Sequence, residues 1–140
     1  RGLVRDASWP GIKAWINATQ ASNPRLVQEM LWSNPRYVFF RPETRADKDA
    51  DLGPRGAQGV PLTAGRSVAV DKDSIPYATP LWLASAGPNG SLQRLVFAQD
   101  TGSAIVGAVR ADYFAGTGAQ AGEFAGRMKQ GLRLWVLWPK

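Results

Sequence analysis

From Thr63 to its end the chain keeps its apolar residues in short runs and breaks them with Gly, Pro, Asn and Asp. Short β-branched runs between such breakers are strands, because an extended element needs few residues whereas a helix needs several turns to hold itself. The spacing predicts strands at Ser67–Val70, Thr79–Leu83, Leu92–Ala98, Ala108–Ala111 and Arg133–Leu137. Gly87-Pro88-Asn89-Gly90 is a turn between the second and third. One helix, over Ala119–Gln130, precedes the last strand, and Gly131 suits its C-cap. Strands this short with one late helix predict a small mixed β-barrel, because a parallel α/β sheet would alternate strand and helix throughout. The fold class is therefore mainly β with helices.

The first forty residues follow a different rule. Trp9, Ile12, Trp15 and Ile16 recur on one helical face behind Ser8 as N-cap, with Pro10 in the first turn. Asn23-Pro24 starts a second helix carrying Leu26, Val27, Met30 and Leu31, and Asn34-Pro35 ends it. Tyr37-Val38-Phe39-Phe40 is β-prone. The expected organisation is a helical segment over 1–41 ending in a strand, the tail of a preceding domain. A mobile surface loop follows over 42–61, then the barrel over 62–140. In the loop Asp47, Asp49 and Asp51 imitate the start of a calcium site. Leu52 stands at its sixth position, where glycine is needed, and Gln58 at its twelfth, where glutamate is needed, so the reading fails.

Composition narrows the chemistry. The 140 residues suffice for one core with appended elements, and they contain no His and no Cys. That excludes a Ser–His–Asp relay, a thiol nucleophile, the common zinc sites and disulfides. Proton transfer falls to Asp, Glu, Lys or Tyr, with no metal or cofactor implied. The net charge of +6 is shared equally by the two halves of the chain, without a basic tail. This distribution argues against nucleic acid as partner and suits an acidic polymer. No stretch reaches the ~20 apolar residues of a transmembrane helix. Arg1-Gly2-Leu3-Val4 shows no signal peptide and reads as a cut boundary, whether from processing, proteolysis or the choice of fragment.

Three aspartates each follow an apolar strand-like run: Asp71, Asp100 and Asp112. Strand-end carboxylates sit at a barrel mouth, where loops build sites, although such residues also serve simply as turn formers. Asp100 stands apart because Thr101-Gly102-Ser103-Ala104 follow it, and small residues let a bulky ligand approach the backbone. Gly116–Gly122 imitates a dinucleotide fingerprint but lacks its spacing and its βαβ setting. Two readings stay open on residues alone. One is a hydrolase pairing Asp100 with Asp71 or Asp112. The other is a polysaccharide-binding barrel with Trp82 and Tyr113 as stacking platforms, the plainer role of both rings being core packing.

A set of ordered motifs then resembles a known family. The motifs are Gly59-Val60-Pro61-Leu62-Thr63-Ala64-Gly65-Arg66-Ser67-Val68-Ala69-Val70-Asp71, Ile75-Pro76, Ala98-Gln99-Asp100-Thr101-Gly102, Arg110-Ala111-Asp112 and Gly131-Leu132-Arg133-Leu134-Trp135-Val136-Leu137. Together with Asn34-Pro35-Arg36-Tyr37-Val38-Phe39-Phe40-Arg41 upstream, they resemble the C-terminal region of the MltA family, membrane-bound lytic murein transglycosylases with a three-aspartate domain. The resemblance implies a double-psi β-barrel preceded by a short helical segment, a missing companion domain, and a periplasmic place at the outer membrane of a Gram-negative cell. It implies cleavage of the MurNAc–GlcNAc β-1,4 bond of peptidoglycan glycan strands to give 1,6-anhydro ends. It puts the catalytic role on Asp100, supporting roles on Asp71 and Asp112, and substrate binding on Thr101, Gly102, Ser103, Arg110 and Tyr113. Three positions depart from the pattern: Ser103 and Ala78 replace glycines, and Ala115 replaces an aromatic residue. If either glycine position demands positive φ, the local loop is strained.

Overall fold

Ser8 holds extended backbone and its Oγ accepts the Gly11 N–H at 3.3 Å, so α1 (Trp9–Gln20) begins at the expected cap with proline in its first turn. Asn23 repeats the device: its Oδ1 accepts the Leu26 N–H at 3.1 Å and opens α2 (Pro24–Trp32), which buries Val27. The computed structural model describes residues 8–36, 39, 42, 52–87, 90–128 and 130–139. The chain divides into two units, Arg1–Thr44 with both of these helices and Arg45–Lys140 with the sheet. Apart from Phe39, the strand expected over Tyr37–Phe40 lies outside the described residues.

The second unit carries β1 (Ser67–Val70), β2 (Pro80–Gly87), β3 (Gly90–Asp100), β4 (Ala111–Tyr113), α3 (Ala119–Gly126) and β5 (Leu132–Val136). The strands form one sheet in the order β4-β1-β3-β2-β5, with β1 parallel to β3 and the other pairs antiparallel. The period of two decides the core. Leu81 and Leu83 of β2 turn inward with Leu92, Val96 and Ala98 of β3, and with Val68, Val70 and Ile75 they make the buried cluster. Each large aliphatic side chain buried there contributes about 1.5–3 kcal/mol relative to exposure. Alternate residues face outward: Trp82, Leu95 and Trp135 form one cross-strand row that is part exposed. Trp82 is thus neither core nor cleft residue.

The sheet is curled and does not close among the described residues. Its edges, β4 and β5, contribute Ala111, Asp112, Tyr113 and Leu132 to one cavity of about 330 Å3, together with Ala125, Met128 and Gln130. The architecture is a mainly β half-barrel with helices. No helix among the described residues is long and apolar enough to cross a membrane.

β1 has the predicted limits, and the other five elements of this unit differ, β3 and β5 by one or two residues at each end. β2 runs on to Gly87 because its ladder with β3 continues to the Gly87–Gly90 pair. The strand expected at Ala108–Ala111 begins only at Ala111, since Gly107 turns the chain at φ +103° and Val109 is exposed. α3 stops at Gly126, which frees Met128 to pack against the core.

Ala78 adopts φ +67°, alone among the described non-glycine residues, so the glycine pattern at this position had a conformational cause and Ser103 does not share it. An L-residue there is strained by roughly 1–2 kcal/mol. Glycine relieves that strain but loses more backbone entropy on folding. Ala78→Gly should therefore raise stability by about 0.5–1 kcal/mol, read from the urea unfolding midpoint at unchanged m-value.

Candidate functional site

A bulge positions the candidate acid. β1 and β3 pair Val68 with Ala98 and then Ala69 with Asp100, which leaves Gln99 as an extra residue in β3. One inserted residue reverses which side chains face which side of a sheet, and bulges are common where a side chain must be re-aimed. Ala69 also pairs with Asp112 on its other side. Asp100 and Asp112 therefore flank Ala69 in one row across three strands, with Cα atoms about 10 Å apart at ordinary strand spacing. Both line a cleft of about 460 Å3 with Thr101, Gly102, Ser103 and Tyr113.

The bulge is held from several sides. Ser67, fully buried, receives the Thr63 N–H at 2.8 Å on its Oγ and donates its hydroxyl proton to Gln99 Oε1. The Gln99 carbonyl accepts the Gln58 N–H at 3.2 Å. The Ala57 N–H donates to Asp100 Oδ1 at 2.9 Å, and Oδ2 has no hydrogen bond among the described residues. Residues 52–61, part of the expected loop, are thus tied to the sheet. Gly53 N–H bonds Leu62 O and Leu62 N–H bonds Pro54 O, each at 2.9 Å, and Arg55 bridges to Pro61. Gly56 makes this approach possible, since a β-carbon there would lie 2.3 Å from Gln99 O. Ala57, Gln99 and Gly56 are the site residues that sequence reasoning missed. Their signal was the small residues of Gly53-Pro54-Arg55-Gly56-Ala57, which read as loop freedom but serve close packing.

The other expected residues divide between cleft and support. The Thr101 hydroxyl donates to Val70 O at 2.8 Å, so Thr101 lines the cleft while fastening the end of β3 to β1. Arg110 is not among the cleft-lining residues. Its Nε stands 3.8 Å from Asp112 Oδ1, in an exposed pair of small energetic weight. Asp71 lies outside the cleft and acts on its surrounding loop: Oδ2 accepts the Gly107 N–H at 2.8 Å and the Ser74 hydroxyl at 3.3 Å, and Oδ1 accepts the Asp73 N–H at 3.1 Å. The Gly107 amide foremost, then that of Asp73, holds the Asp71 carboxyl below its ordinary range. The segment from Asp100 to β4 is thereby pinned at both ends. Near the position of the expected aromatic, Phe114 lines the cleft beside Ala115.

Residues 66–138 match the family model of the 3D domain. The chain is 36% identical, over 98% of its length, to membrane-bound lytic murein transglycosylase A of Escherichia coli K12. It spans 37% of the length of that curated relative. Among solved structures, MltA from Neisseria gonorrhoeae is similar at 45% identity and a TM-score of 0.76, covering 93% of this chain and 31% of its own. E. coli MltA with bound chitohexaose is similar at 32% identity and a TM-score of 0.77, covering 97% and 40%.

Two outcomes follow from the geometry. Gly56→Ala should cost about 1–3 kcal/mol in urea unfolding, because the neighbour it strikes is backbone. For Asp71, a folded-state pKa below the usual 3.8 means that its ionised form adds stability above that value. The contribution is lost as pH falls from about 4 through the lowered pKa. Asp71→Asn should lower stability at neutral pH and flatten this acid limb, measured as urea midpoints from pH 7 down to about 2.5.

Proposed function

The chain belongs to the 3D-domain family, and from that premise we propose that it is the catalytic part of a lytic transglycosylase acting on peptidoglycan. The observation that carries the reading is Asp100: a bulge turns it into the row of Asp112, one oxygen is anchored by the Ala57 amide, and small residues border the rest of the cleft. The names of the relatives support the same substrate.

Lytic cleavage asks for little from the protein. Asp100, protonated at the start, gives its proton to the glycosidic oxygen between MurNAc and GlcNAc as the C1–O bond breaks. The C6 hydroxyl of the same muramoyl residue attacks C1, and Asp100 takes that hydroxyl's proton. The product is a 1,6-anhydro end, no water is consumed, and the carboxyl returns to its initial state. One acid that becomes a base suffices, which suits a chain without His or Cys. Asp71 and Asp112 support the loop and the row beside Asp100, while Thr101, Gly102, Ser103 and Tyr113 shape the cleft for sugar. Arg110 takes part through its exposed pair with Asp112 rather than from the cleft lining.

On this reading the curled sheet is part of a double-psi β-barrel over 62–140, and residues 1–41 end a preceding domain. A companion domain in the rest of the protein forms the other wall of the groove. On the same reading the protein works in the periplasm at the outer membrane; the relatives' name supports membrane association alone.

Asp100→Asn should lower turnover of purified murein sacculi by at least 10²–10⁴-fold, since an amide performs neither proton transfer. Asp112→Asn should cost less. Mass spectrometry of fragments made in H₂¹⁸O should show unlabelled anhydro ends in the longest native form of the protein. Heavy oxygen at new reducing ends would instead make Asp100 and Asp112 a two-carboxylate hydrolase pair.

A further inference from the structure

Arg94 occupies a place where the sheet calls for an apolar side chain. It lies in β3 on the face of Leu92, Val96 and Ala98 and pairs with buried Leu83, yet it is itself exposed. Gly65 makes room for it. Gly65 is buried with φ +73°, and a β-carbon at Gly65 would stand 2.8 Å from Arg94 Nη1 and 3.1 Å from Tyr113 Oη. The guanidinium and the phenol therefore converge over bare backbone. Tyr113 in turn lines both the cleft of Asp100 and the adjoining cavity beside α3.

The three strand-end aspartates are engaged elsewhere. Asp112 pairs with Arg110, Asp100 receives the Ala57 amide and Asp71 those of Gly107 and Asp73. Among the described residues Arg94 has no ion pair and no hydrogen bond from its side chain. A planar fork of donors beside a hydroxyl is a donor set for a carboxylate, and an unpaired arginine leaves the local field positive.

We propose that Arg94 and Tyr113 bind a carboxylate carried by the glycan strand, at the edge of the cleft that Tyr113 lines. The proposal rests on the reading of the cleft as a peptidoglycan site and names what distinguishes that polymer from a neutral one. Peptidoglycan offers such a group in two places: the lactyl ether of muramic acid where no peptide is attached, and the stem peptide where one is. A chain of GlcNAc alone offers none.

The test measures binding to the longest native form carrying Asp100→Asn, so that ligands survive, with and without Arg94→Gln or Arg94→Lys. Three ligands are titrated: peptide-bearing strands, amidase-treated strands with free lactyl carboxylates, and neutral chitohexaose. Arg94→Gln should weaken one or both muramoyl ligands by roughly 10–100-fold, the worth of a charge-assisted hydrogen-bond pair. Chitohexaose affinity should stay within about twofold of its starting value, which also reports that the variant is folded. Arg94→Lys should recover part of the loss, and the difference should shrink as salt rises. Loss confined to peptide-bearing strands assigns the stem peptide, and loss confined to amidase-treated strands assigns the lactyl group. Equal losses on all three ligands, or none on either muramoyl ligand, would overturn the proposal. If the protein without the Arg94 change binds none of the three, the glycan reading of the cleft fails, and this inference fails with it.

Discussion

The extra residue at Gln99 is the constraint on which the site depends. Strand alternation alone would continue from Ala98 and put Asp100 one step out of the row it occupies. The bulge costs a ladder position, so something must hold it. Ser67 beneath, the Gln58 amide above and the close approach permitted by Gly56 together satisfy the polar groups that the irregularity exposes. Asp100 is thereby placed by backbone and buried side chains, and little of its position is left to surface loops.

Support for the cleft comes from three parts of the chain that are far apart in sequence. The segment after Gly53 supplies an amide to Asp100, β1 accepts the Thr101 hydroxyl, and Asp71 receives Gly107 in the loop that leads to β4. Each contact is modest in free energy, but each removes one way in which the loop could rotate. The three strand-end aspartates divide this work: two line the cleft in one row, and one fastens a loop from outside.

Much of the scaffold was legible where local chemistry decides. Ser8 and Asn23 announced their helices, and Ser67–Val70 announced β1, because caps and β-branched runs act over a few residues. Legibility failed where the cause lies elsewhere in the fold. Ala108 and Val109 look like strand, yet the Gly107 turn exposes them. The run Leu95-Val96-Phe97-Ala98-Gln99-Asp100 carries no sign of a bulge, since it is imposed by the partner strand and by residues 53–62. Ala78 is a different case: the sequence departure flagged the position, and only the backbone showed that its φ is positive while that of Ser103 is not. Nothing in the sequence sets Arg94 apart, and its unusual face became visible only through pairing with Leu83.

The Ala57–Asp100 hydrogen bond joins residues 43 positions apart, and the parallel β1–β3 pair beside it is also a non-local contact. Closing loops of that length costs entropy before any contact rewards it, so such pairings form late in folding. The carboxylate is therefore organised only in chains whose sheet is already complete. A partly folded molecule carries the aspartate but not its geometry.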